Sequence, residues 1–174
     1  LYFFGLDEMS ESEGLDRRHM RLPKVQIELL EAIYTVNQNV VGILSGGSSI
    51  EMPWDAKLTA ILHGYLTGQA GGGAIYDILT GRVNPSGKLA ETYPVKLEET
   101  PAYNYYPAKE TTSEYREGLF IGYRYYDKAK VPVRWQFGYG LSYTTFAYSN
   151  LILDGEKASV TVTNTGDRGG AEVV

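Results

Sequence analysis

The feature that most constrains this chain is a set of short, unbroken apolar runs separated by a helical pattern. Leu1-Tyr2-Phe3-Phe4-Gly5-Leu6 and Val40-Val41-Gly42-Ile43-Leu44 show no polar alternation. Runs of this kind are strands covered on both faces, the pattern of a parallel sheet. Ala60-Ile61-Leu62 is a third. Between the first two, Pro23 stands at a favoured helix-opening position. Val25, Leu29, Ile33 and Val36 follow at helical spacing, with Leu30 beside them. After the third run, the segment 68–73 leads into Ala74, Ile75, Ile78 and Leu79, and Gly81 is a stop signal. Strands alternating with helices predict an α/β fold, a mainly parallel sheet with helices on both faces.

The character changes after Pro94. Residues 95–145 are rich in Tyr, Gly and Pro with little helical period, which predicts long ordered loops and short strands. Farther on, Ala158-Ser159-Val160-Thr161-Val162-Thr163 alternates with period two and is closed by the turn signal Asn164-Thr165-Gly166-Asp167. The expected organisation is an α/β sandwich over 1–145, then the opening of an all-β sandwich over 146–174. The chain starts in a strand without Met, and Ala171-Glu172-Val173-Val174 reads as another strand beginning, so both ends are expected to continue in a longer protein.

Composition removes several function classes. Apolar residues make up 43% of the chain, enough for a core. A net charge of -5 without a basic stripe argues against a nucleic-acid partner. There is no cysteine, hence no disulfide framework or thiolate metal site. No apolar run approaches the roughly 20 residues of a membrane span, so no membrane partner is expected. The 15 tyrosines suit sugar recognition, since a phenol ring stacks on C–H faces while its hydroxyl bonds, and they suit half-buried packing equally. A homo-oligomer remains open.

The densest polar constellation is Asp7, Glu8, Glu11, Glu13 and Asp16, followed by Arg17, Arg18 and His19. It begins directly after a buried strand, where open α/β sheets place ligand crevices. Crowded carboxylates discourage one another's ionisation, so one of them can hold a proton near neutral pH, as a general acid must. The competing reading is a solvated loop whose acids are neutralised by the neighbouring arginines. Other motifs read as structural. Gly71-Gly72-Gly73 lacks the Gly-Lys-Ser/Thr of a phosphate loop and suits close helix–strand packing. His19 and His63 have no ligand-spaced partner, and Ser48 and Ser49 lie in a Gly-Gly-Ser-Ser turn without a nucleophile elbow. No cofactor or metal is expected.

Several segments together resemble glycoside hydrolase family 3 of the β-glucosidase type. Ser12-Glu13-Gly14-Leu15-Asp16-Arg17 is similar to the family's Ser-Glu-Gly-x-Asp-Arg loop, and His19-Met20-Arg21-Leu22-Pro23 continues it. Ser49-Ile50-Glu51-Met52-Pro53-Trp54, Gly68-Gln69-Ala70-Gly71-Gly72 and Asn84-Pro85-Ser86-Gly87-Lys88-Leu89 follow in the family's order. So do the segments 116–127 and 137–144, and Val160–Asp167 resembles the start of the family's fibronectin type III-like domain.

The resemblance implies a retaining, exo-acting β-glucosidase that uses two carboxyls from two domains on an oligosaccharide or an aryl or alkyl β-glucoside. A (β/α)8 barrel partner domain would supply an Asp nucleophile, and this segment the general acid/base. Retention sets the two carboxyls about 5–5.5 Å apart. Glu13 matches the acid/base position. Glu8 and Glu11 are its rivals on residue chemistry, and only the motif separates them. Glu11, Asp16, Arg17, Tyr139 and Tyr143 are candidate substrate contacts, with Tyr123 a further one on the leaving-group side, and Arg17 is expected to orient the loop by pairing with Asp16. The nucleophile's Ser/Thr-Asp-Trp motif and the barrel's Lys-His pair are absent from these residues. Alternatives are a β-xylosidase or α-arabinofuranosidase of the same family, a non-catalytic sugar-binding module, and a flavodoxin-like nucleotide binder. The purified chain by itself is expected not to hydrolyse nitrophenyl β-glucosides, and detectable turnover in a chromogenic assay would overturn the two-domain reading.

Overall fold

The computed structural model describes residues 1–109 and 111–174. The elements are β1 (Tyr2–Gly5), α1 (Lys24–Val36), β2 (Val41–Ser45), β3 (Ala60–Tyr65), α2 (Gly71–Leu79), β4 (Tyr93–Pro94), α3 (Tyr123–Ala129), β5 (Val133–Trp135), β6 (Phe146–Asp154) and β7 (Lys157–Asn164), with 3-10 turns at Asp55–Lys57 and Leu97–Glu99. The described residues form two compact units, one of 1–71 with 90–138 and one of 72–89 with 139–174.

The first unit is built on a parallel sheet in the order β1-β2-β3. Gly5 lies opposite Ser45, which lies opposite Tyr65, so the carboxyl ends of the strands are level. Tyr2, Phe4, Leu30, Val40, Ile43, Leu44, Ile50 and Trp54 make the core. Tyr2 stacks on Phe4 at 5.1 Å, and Phe4 meets Trp54 edge-on at 5.3 Å, geometries that aromatic quadrupoles favour. β2 is covered as expected through Gly42, Ile43 and Leu44. β1 departs from a strand covered on both faces, because Phe3 is 62% exposed while its neighbours are buried. A two-stranded antiparallel pair, β4 with β5, and the short helix α3 complete the unit. α3 falls where only loops and short strands were expected; seven residues are too few to establish a helical period.

α1 begins after Pro23, as its sequence suggests, yet its buried face differs from the expected stripe. Leu30 is fully buried, whereas Val25 and Val36 are 68% and 84% exposed. The difference arises from Gln26, one residue round from Val25. Its side-chain oxygen accepts from the Gly5 N–H at 3.0 Å and its nitrogen donates to the Gly5 carbonyl at 3.0 Å. The Tyr2 hydroxyl donates to the Gln26 carbonyl. Polar bonds to β1, added to the burial of Leu30, set the rotation of the helix.

In the second unit, β6 and β7 form an antiparallel hairpin with an irregularity between Ser149 and Ile152. β6 starts at Phe146, and the unit takes in residues 72–89 and 139–145 as well. Asn84 is the reason in side-chain terms. Its oxygen accepts from the Ser142 hydroxyl at 2.9 Å and the Tyr143 N–H at 2.8 Å, and its nitrogen donates to the Gly169 carbonyl at 3.0 Å.

β1 and β2 approach closely where both end. A Cβ built on Gly5 would lie 1.8 Å from the Ser45 carbonyl oxygen. Gly5→Ala is therefore expected to part the strands at that end and to cost at least about 1–3 kcal/mol, the range for overpacking, read as a lowered urea midpoint with an unchanged slope.

Candidate functional site

Because the strands are parallel, the segments after β1 and β2 leave the sheet at the same end. The first, residues 6–23, carries the acidic cluster. Asp7 turns the chain at its start: its carboxylate accepts from the Ser10 N–H at 2.7 Å, and its carbonyl accepts from Ser10 and Glu11. Hydrogen bonding from the Ser10 side chain, and then from its N–H, holds the Asp7 carboxyl below its ordinary range. At the far end, Met20 and Leu22 are buried, and the Met20 carbonyl accepts from Glu51 at 2.8 Å. Between the anchors lies a tight turn, closed by Leu15 N–H donating to the Ser12 carbonyl at 3.2 Å. Gly14 adopts φ +80, the conformation that the third residue of a type II turn demands. Glu13 occupies the corner before it and is exposed.

Residues on either side of that corner bond to the loop after β2. Glu11 accepts from the Gly47 N–H at 2.7 Å with one oxygen and from the Ser48 hydroxyl at 2.7 Å with the other. Arg17 donates from Nη1 to the Ser48 hydroxyl at 2.8 Å and the Ser49 carbonyl at 3.2 Å. The expected Arg17–Asp16 pairing is replaced by these bonds, and Asp16 instead accepts from the Tyr106 hydroxyl. Burial lowers the Arg17 pKa, with Glu11 and Glu91 opposing the shift. Its other terminal nitrogen, Nη2, is buried without a protein partner.

A second polar cluster stands behind this one and was not singled out in the sequence. Burial raises the Glu91 carboxyl above its usual range, while bonding to Ser49 and the charge of Arg17 pull the other way. The Tyr93 hydroxyl lies 2.8 Å from His63 Nε2, and burial pushes that phenol strongly upward. His63 packs 3.8 Å from the Tyr65 ring and places Nδ1 3.4 Å from the Leu44 carbonyl. Glu91 also lines a cavity of about 450 Å³ with Met20, Ser49, Tyr123, Tyr126 and Phe137. Tyr123 and Phe137 stack at 5.0 Å, and burial pushes the Tyr126 hydroxyl up to about 12. No group of three metal-ligating side chains occurs among the described residues.

The structure thus brings Glu11 and Arg17 together through Ser48, with Glu13 between them on an exposed corner. Tyr139 and Tyr143 belong to the second unit. There the Tyr139 carbonyl accepts from Leu89 at 2.8 Å, and the Tyr143 hydroxyl donates to the Ile78 carbonyl at 3.0 Å. Ser48, Glu91, His63 and Tyr93 were missed as a group. A Gly-Gly-Ser turn after a buried strand was the available signal for Ser48, and β4, at two residues, offered none for Glu91 and Tyr93.

The chain is similar to known proteins in both sequence and structure. The family model described as the glycosyl hydrolase family 3 C-terminal domain matches residues 1–123. Thermostable beta-glucosidase B of Acetivibrio thermocellus is 48% identical over 180 residues, spanning 99% of this chain and 24% of that protein. An exo-alpha-(1->6)-L-arabinopyranosidase of Bifidobacterium breve is 44% identical, spanning 100% of this chain and 24% of that protein. The crystal structure of a family 3 beta-glucosidase from Bifidobacterium adolescentis superposes with a TM-score of 0.89 at 44% identity, covering 95% of this chain and 25% of that one. A beta-glucosidase from Kluyveromyces marxianus in complex with glucose gives 0.88 at 40%, covering 96% and 20%. The chain therefore spans about a quarter of the length of these relatives.

The buried cluster carries a pH signature. Burial lowers the His63 pKa below its ordinary 6.5, so the fold favours the neutral imidazole. That contribution to stability is fully present above the unfolded value and is lost as pH falls below it toward the folded value. Denaturant midpoints are expected to drop as pH falls below the ordinary histidine value, and His63→Gln to flatten that part of the curve.

Proposed function

This chain belongs to glycosyl hydrolase family 3, and from that premise we propose that it supplies the general acid/base, Glu13, to a retaining exo-β-glucosidase whose nucleophilic Asp comes from a (β/α)8 barrel. The observation that supports this reading is the position of Glu13. It stands on an exposed corner at the carboxyl end of a parallel sheet, with its neighbours on both sides bonded to the next loop. Its own carboxyl is left clear to face a second domain.

In the first step, Glu13 gives its proton to the glycosidic oxygen as the anomeric C–O bond breaks and the nucleophile's carboxylate bonds to the anomeric carbon. In the second, the Glu13 carboxylate takes a proton from water as the water oxygen attacks that carbon and displaces the nucleophile. Asp16, exposed on the far side of the same corner, is assigned to substrate contact, while Arg17, bonded to Ser48 and Ser49, holds the loop. No cofactor takes part.

A second reading keeps the chemistry and changes the sugar. The arabinopyranosidase relative is spanned as fully as the beta-glucosidase one, and a panel of nitrophenyl glycosides that includes α-L-arabinopyranoside separates the two.

Replacing Glu13 by Ala in the complete polypeptide carrying this segment is expected to lower turnover of alkyl glucosides and disaccharides about 10²–10⁴-fold, the usual contribution of a general acid/base. The glycosylation step with dinitrophenyl glucoside should be spared, and azide should restore turnover with release of a glycosyl azide. Unchanged hydrolysis of disaccharides would remove Glu13 from the mechanism.

A further inference from the structure

We propose that Ser48 is a positioning residue for the acid/base loop: its hydroxyl, held between Glu11 and Arg17, fixes the corner that presents Glu13. The inference rests on the assignment of Glu13 made above.

A serine hydroxyl has one proton to donate and lone pairs to accept with. Ser48 uses both functions here, donating to Glu11 Oε1 at 2.7 Å and accepting from Arg17 Nη1 at 2.8 Å. Both bonds involve an ionised partner and so belong to the stronger class. A residue after β2 thereby joins two residues that flank Glu13 on opposite sides. The loop that carries Ser48 is itself fixed. It starts at the paired end of β2, and Ile50, two residues on, is 1% exposed. The Gly47 N–H adds a second bond to Glu11, and the Ser49 carbonyl a second to Arg17. Within the bracketed span, the Ser12–Leu15 turn bond limits the remaining freedom. The Ser48 hydroxyl makes no bond to Glu13, so any effect on catalysis is transmitted through the loop. Displacing a catalytic group by about 1 Å can cost about 10²-fold in rate.

The test uses the complete polypeptide and two substrates that differ in their need for acid assistance: a β-linked disaccharide and 2,4-dinitrophenyl β-glucoside, whose leaving group departs without a proton. With Ser48→Ala, kcat on the disaccharide is expected to fall about 10-fold or more. The glycosylation rate with the dinitrophenyl substrate should change less than about twofold, and KM should move little. Ser48→Thr keeps the hydroxyl and is expected to restore the disaccharide rate. An equal loss on both substrates would assign Ser48 to general folding and overturn the proposal. So would a Ser48→Thr variant as impaired as Ser48→Ala. If Ser48→Ala fails to fold, Ser48→Cys keeps the volume with a weaker donor, and a wild-type ratio of the two rates in that variant would overturn the proposal. Glu13→Gln, run in parallel, separates the two readings. Loss of disaccharide turnover in Glu13→Gln but not in Ser48→Ala removes the role of Ser48 alone, and no loss in Glu13→Gln removes the assignment on which it rests.

Discussion

The parallel pairing of β1 with β2, with Gly5 set against Ser45, is the constraint from which the rest of the site follows. Parallel strands release their following segments at the same end of a sheet, and level strand ends bring those segments side by side. Glu11 can then reach Gly47 and Ser48 although the two are far apart in sequence. The Leu6 N–H still donates to the Ser45 carbonyl at 2.9 Å, so the first residue of the acidic segment remains part of the ladder. A shift of β1 by one residue would turn buried Phe4 to the face that exposed Phe3 now occupies. It would also carry Glu11 past its partners.

Behind that geometry is a division of labour among charges. Arg17 and Glu91 are partly buried, each shifted toward its neutral form by burial and held back by the other's charge; Glu11 opposes the shift of Arg17 and adds to that of Glu91. Taking such groups from water is expensive unless hydrogen bonds and opposite charges offset the loss. Here the offset comes from backbone and serine groups of the loop after β2. Glu13, by contrast, is exposed on its turn and spends none of its bonding capacity on the framework. Paired groups thus flank an exposed carboxyl, the one proposed above as acid/base.

The strands and the motif were the legible parts of the sequence, for different reasons. Unbroken apolar runs report burial directly, and β1, β2 and β3 lie where those runs lie. The Ser-Glu-Gly-x-Asp-Arg resemblance singled out Glu13 because residue order survives where charge count cannot choose among five acids. The rotation of α1 was hidden, because Gln26 looked like an ordinary solvated position while its amide bonds to Gly5. Arg17 beside Asp16 suggested a local ion pair. The partners it takes, Ser48 and Ser49, are neighbours only after the sheet has formed. Glu91 and Tyr93 escaped notice, and His63 was read alone, for the same reason, since a polar cluster assembled from separate segments leaves no period in any of them.

The carboxamide of Gln26 has a consequence beyond setting a helix. In a parallel ladder, alternate residues turn their N–H and C=O toward opposite neighbours, and Gly5 turns both toward Gln26 while Leu6 bonds to β2. An amide side chain carries one donor side and one acceptor side, so it copies the peptide group that another strand would offer there. Unpaired strand borders invite foreign chains to add themselves in register. With Gln26 seated, such an addition is stopped at Gly5, beside the segment that carries the acids. The helix therefore occupies, at Gly5, the donor and acceptor that an added strand would need.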